Sequence, residues 1–152
     1  MNVNEILTSS GKYPNRPKEY PLNPIMKQNA EVLANRLTCL LISFGEEKSI
    51  NSGYRPRQIN EEIGGSAKNS HHIYCEAADL EDFDGRLARW CMDNLDLLNH
   101  FGLWMEHPFY TRTINKGESE KIPEGQDGWV HLQMVPPHST HRVFIPYDGG
   151  PP

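Results

Sequence analysis

The chain has 152 residues, a formal net charge of −5, 37% apolar residues, 12 glycines and 12 prolines, enough for one domain with a real hydrophobic core and many loops. No stretch approaches the roughly 20 apolar residues that span a bilayer, so membrane insertion is not expected, and nothing supplies the basic face with which nucleic-acid binders hold phosphates. Cys39, Cys75 and Cys91 are odd in number and include no Cys-x-x-Cys pair, which argues against a disulfide framework; Cys39 and Cys91 fall in helical patterns and are expected in the core.

The first residues carry neither a basic start nor an apolar run, so no secretory signal is expected. Residues 1–23, with Pro14, Pro17 and Pro21 among polar residues, predict an extended lead-in, and one domain is expected over 24–146 with a tail at 147–152. Asn23-Pro24 starts a helix, a capping side chain followed by proline at the first helical position. Ile25, Val32, Leu33, Leu37, Leu40, Leu41 and Phe44 carry it at helical spacing to a stop at Gly45. Lys48 to Ser52 predicts a short strand that turns at Gly53-Tyr54-Arg55-Pro56. Pro56 to Ile63 predicts a short helix ended by Gly64-Gly65, and a polar loop leads on to Ser70-His71-His72.

Glu76 to Asp82 predicts a strand with Ala77, Asp79 and Glu81 on one face and Ala78 and Leu80 on the other. A carboxylate led into a buried strand by small apolar residues is costly unless it is paired or bound to metal. Asp84-Gly85 opens a second long helix, with Leu87, Trp90, Cys91, Leu95 and Leu98 as its buried stripe, ending at Phe101-Gly102. Leu103 to Pro108 predicts a strand containing Glu106 and His107, and residues 111–128 a long loop suited to lining a cleft. Trp129 to Val135 predicts a strand with Trp129, His131, Gln133 and Val135 on one face. Arg142 to Pro146 predicts a final edge strand.

Ser52-Gly53-Tyr54-Arg55, then Asn60, Gly64 and Gly65, then Ser70, His72, Ala77 and Asp79, and finally His131 stand in this order over roughly residues 24–135. This order resembles the zinc peptidoglycan peptidases that include D-alanyl-D-alanine carboxypeptidases and phage L-alanyl-D-glutamate endolysins. The resemblance implies an α+β fold of the hedgehog/DD-peptidase type, helices packed on a mainly antiparallel sheet. It implies that His72, Asp79 and His131 hold Zn²⁺ with one position left open for water, that Arg55 lies beside the metal on the substrate side, and that Ser70 supports the site through its hydroxyl. His71 is the neighbouring rival to His72, and the family register favours His72.

The activity implied is zinc-dependent hydrolysis of peptidoglycan stem peptides, of carboxypeptidase or endolysin type. A monomer is expected, of phage or prophage origin, that either reaches the cell wall after holin-type release or travels with the virion. The sequence departs from the family pattern in two places. Cys75 stands where the family has glycine, and Gly128 stands three residues before His131, where the family often has its catalytic acid. Asp127 is therefore the first candidate for the general base, with Glu106 and Glu124 behind it. The alternative is a zinc-containing binding or virion structural module of the same fold that has lost catalysis, which Gly128 favours.

Overall fold

A computed structural model describes residues 1–8, 22–63, 68–108 and 128–145 of the chain. Helix α2, Pro24–Phe44, begins where the Asn23 side chain accepts the Met26 N–H at 2.8 Å. It ends where Gly45, at φ 88°, donates its N–H to the Leu41 carbonyl. Its stripe of Ala30, Leu33, Ala34, Leu37, Leu40 and Leu41 is buried and backs the core. Cys39, expected in the core, is exposed, because it falls off that stripe between Leu37 and Leu40.

The strands are β1, Ile50–Ser52; β2, Ala77–Glu81; β3, Trp104–Glu106; β4, Trp129–Gln133; and β5, Val143–Phe144. They form one sheet in the order β1-β2-β4-β3-β5. Among the described residues all pairings are antiparallel except that of β5 with β3, at the edge. The expected α+β architecture, helices on a mainly antiparallel sheet, is the observed one. β2 and β4 are the central pair, which is why Ala77 to Leu80 are buried on both faces. Helix α3, Arg57–Ile63, follows the Arg55-Pro56 turn as expected.

Two elements differ from expectation. The lead-in expected to be extended begins with a helix, α1, Val3–Thr8, which puts fully buried Ile6 into the core. The predicted second long helix is two: α4, Arg86–Asp93, and α5, Leu95–Phe101. They divide at Asn94 (φ −126°, ψ 49°), whose side chain donates to the Trp90 carbonyl while its backbone N–H reaches the Cys91 carbonyl. A short polar side chain that bonds the preceding turn competes with helix continuation. The front of α4 is held by Asp82, whose buried carboxylate accepts the N–H groups of Leu87 and Ala88 at 3.0 and 2.9 Å.

Among the described residues no helix is long and apolar enough to cross a membrane. The tail expected at 147–152 and nearly all of the loop expected at 111–128 lie outside the described residues.

Candidate metal centre

The sheet register brings the site together. Ser52 on β1 pairs with Asp79 on β2, and Asp79 pairs with His131 on β4. On β3, Met105 pairs with Leu132, so the next residue, Glu106, continues the row beside His131, and Phe144 on β5 pairs with Glu106. Residues in one cross-strand row project from the same face. A register irregularity between Ile50 and Ser52 lies next to this row, the kind of strand defect that re-aims side chains at sites.

His72 arrives from outside the sheet. Residues His71–Tyr74 form a single 3₁₀ turn, capped at its start by the Ser70 hydroxyl, which accepts the His72 N–H at 3.3 Å. It is closed by Cys75, whose backbone is left-handed at φ 57° and whose N–H reaches the carbonyls of His71 and His72. This reversal drops the chain into β2 and leaves the His72 ring over Asp79. It also explains why glycine suits this position: only glycine takes such a φ without strain. The Cys75 thiol is buried and pushed up to about 12 by that burial, with the charge of Glu76 adding. A thiol held neutral is a poor metal ligand.

His72, Asp79 and His131 each offer one ligand atom, and these atoms lie within 4.8 Å of one another. His131 Nδ1 is 2.8 Å and His72 Nε2 3.4 Å from the same oxygen, Asp79 Oδ1. The two rings stand 5.1 Å apart at 61°. The outward nitrogens fix the tautomers. His72 Nδ1 lies 2.8 Å from the Gly53 carbonyl, which can only accept, so Nδ1 carries the proton and Nε2 presents its lone pair. Gln133 donates its amide to the Val135 carbonyl at 2.6 Å. Its oxygen therefore faces His131 Nε2 at 3.1 Å and accepts the N–H there. His131 Nδ1 is left with a lone pair toward Asp79.

Two imidazole lone pairs aimed at one carboxylate oxygen repel unless a cation stands among them. With no metal that cation is a proton. Burial opposes charge on His131, but the hydrogen bond and charge of Asp79 outweigh it, helped by Glu106 and Gln133, and the imidazolium pKa is pushed up to about 9. His72 is lowered by its burial, against the pull of Asp79. Burial favours a neutral Asp79, yet the charges and hydrogen bonds of both histidines hold it well below the usual carboxylate range. A divalent ion would replace the proton and satisfy all three donors. Two nitrogens and one carboxylate oxygen, with outer partners orienting both rings, suit zinc with a fourth position open.

Of the other expected residues, Arg55 points a guanidinium nitrogen at Asp79 Oδ2 from 3.8 Å and donates to Ser52 Oγ and Asn60 Oδ1, each at 3.2 Å. Burial lowers its pKa and Asp79 opposes the shift. Glu106 is half-buried; its burial raises its pKa, the positive charge of His131 lowers it and Asp79 raises it again. Asp127 and Glu124 lie outside the described residues. His71 is turned away from the site and sits 2.8 Å from Glu76. Reading the sequence did not assign Gln133 or the Gly53 carbonyl a part in the site. Gln133 carried a usable signal, a glutamine one strand-repeat beyond His131 on its face, whereas a backbone acceptor carries none.

The family model for peptidase M15 matches residues 6–94. That span includes His72 and Asp79 and stops before Glu106 and His131, which only the sheet register joins to them. No curated protein and no solved structure matches the chain.

Proposed function

Because the chain belongs to the peptidase M15 family of zinc-dependent metallopeptidases, we propose that it hydrolyses peptide bonds in peptidoglycan stem peptides, with His72, Asp79 and His131 as its zinc ligands. The observation that carries this reading is the convergence of two oriented imidazole lone pairs on one carboxylate oxygen. Zinc bound there supplies a Lewis acid that polarises the scissile carbonyl and eases deprotonation of the attacking water.

The chain's own groups do the rest. Gly53 and Gln133 hold the two rings in their ligating tautomers. The charges and hydrogen bonds of His72 and His131 favour the carboxylate form of Asp79. Glu106, in the row beside His131 and half-desolvated, is put here ahead of Asp127, the first candidate, which lies outside the described residues; it takes the proton of the attacking water and hands it to the leaving amine. That role replaces the family's acid, absent at Gly128, and a carboxylate whose pKa is raised is a better base near neutral pH than an exposed one. Arg55 holds a substrate carboxylate or the developing oxyanion, for which a partly buried guanidinium is suited. Ser70 acts through the 3₁₀ turn that it caps. Whether the bond cut is the carboxypeptidase or the endopeptidase one depends on the shape of the cleft walls. Release into the cell wall during phage lysis fits either bond.

Gly128 favours a second reading, a zinc-holding module without catalysis. Glu106→Gln separates the two: it should leave one zinc per chain while turnover falls by about 10²–10⁴-fold. Wild-type turnover with unchanged zinc content in that variant would remove Glu106 as the base. Zinc binding without any turnover by the unaltered chain would select the second reading.

A further inference from the structure

We infer that the N-terminal helix α1 is a brace for the metal centre, holding His72 in ligating orientation through the Gly53-Tyr54-Arg55 segment; this rests on the reading of His72 as a ligand. α1 itself contributes nothing to the row of site residues. It is anchored by Ile6, fully buried in the core, and the carbonyl of the same residue accepts the Tyr54 N–H at 2.7 Å. Gly53 packs against that carbonyl so closely that a Cβ on it would lie 2.1 Å from the oxygen and 2.9 Å from its carbon. Both contacts are with backbone, so no side-chain rotation could make room. Gly53 is thus required here by close approach.

The other side of the same segment belongs to His72. The Gly53 carbonyl accepts the His72 Nδ1–H at 2.8 Å, and the Arg55 N–H donates to the His72 carbonyl at 3.1 Å. Residues 53–55 therefore form a strap bonded on one side to α1 and on the other to both the ring and the main chain of His72. A shift of α1 moves the strap, and the strap sets where His72 Nε2 points. Outer hydrogen-bond partners of ligating histidines commonly govern metal affinity by about 10–100-fold. Ile6 and Gly53 are positioning residues.

The test is zinc affinity measured on the full-length, metal-stripped chain by competition with a chelating indicator, beside ¹⁵N chemical shifts of the His72 ring, which report whether Nδ1 keeps its proton. Gly53→Ala should weaken zinc by about 10–100-fold and shift the ring signals. Ile6→Ala, which loosens the anchor without touching the strap, should act in the same direction. Leu98→Ala, an equally buried core residue on α5, controls for lost stability and should change affinity by no more than about twofold. Wild-type affinity in both Gly53→Ala and Ile6→Ala overturns the brace, as does an equal loss in Leu98→Ala. If Gly53→Ala does not fold, the comparison of Ile6→Ala with Leu98→Ala decides. If the unaltered chain takes up no zinc, the metal reading of His72 fails, and the brace with it.

Discussion

His131 shows how one residue's surroundings decide what it can bind. Its Nε2 proton is committed to Gln133, whose orientation is in turn fixed by the Val135 carbonyl, so the metal-free protein must keep a second proton on Nδ1 facing Asp79. The folded pKa of about 9 lies above the ordinary imidazole value of 6.5. This interaction therefore stabilises the metal-free fold fully below about pH 6.5 and is lost as pH rises through 9. His72 is shifted the other way by burial, so it favours the fold increasingly as pH rises through its ordinary range, and the two together predict greatest stability near neutrality. Chelated protein should lose about 1–3 kcal/mol of unfolding free energy between pH 7 and pH 10, read from denaturant midpoints. In zinc-loaded protein that slope should disappear. Calorimetric zinc titration at pH 7 in buffers of different ionisation enthalpy should show about one proton released per ion. A flat stability profile without metal, or no proton release, contradicts the tautomer assignment.

The triad's spacing and company made its residues readable in the sequence: Ser70, His72, Ala77 and Asp79 in one short run, and His131 on an alternating strand. Glu106 was readable only as a reserve candidate, because its place beside His131 depends on the register of β3 against β4, and register follows from turns and core packing far along the chain. The part played by the Gly53 carbonyl was unreadable, since every residue has one. Cys75 stands between these cases. Its oddity as a replacement for glycine was visible, and the left-handed φ of 57° gives the physical reason.

Among the elements, α4 depends most plainly on one side chain. Asp82, at the end of β2, satisfies two of the N–H groups that the start of α4 would otherwise leave buried without partners, with Lys48 Nζ 3.8 Å away. Asp82→Ala should cost about 2–3 kcal/mol, combining a lost cap with desolvated donors, measured as a lowered denaturant midpoint at unchanged slope. A cost below about 0.5 kcal/mol would mean that water replaces the carboxylate there. The α2 boundaries were legible because Asn23-Pro24 and Gly45 are strong local signals. The break at Asn94 was not, because the apolar stripe of Leu87, Cys91 and Leu98 runs straight through it. α1 was missed because six residues give too little periodicity to outweigh the prolines that follow.

Over the whole molecule, the sheet order β1-β2-β4-β3-β5 is what turns four distant stretches of sequence into one site. Strand existence was readable from alternation; strand order was not, because alternation says which face a residue takes and nothing about its neighbour. The antiparallel centre carries Asp79 and His131, α2 backs the core and α1 bonds the 53–55 turn that reaches His72. The match to peptidase M15 covers His72 and Asp79 within residues 6–94, and the sheet register sets Glu106 and His131 beside them.

The most direct test is mass spectrometry of purified peptidoglycan after incubation with the zinc-loaded chain, beside a chelated sample and the His131→Ala variant. New peptide termini that appear only with the zinc-loaded wild-type chain are the predicted result, and their masses identify the bond cut. Termini that persist after chelation, or in His131→Ala, would contradict a metal centre built from His72, Asp79 and His131.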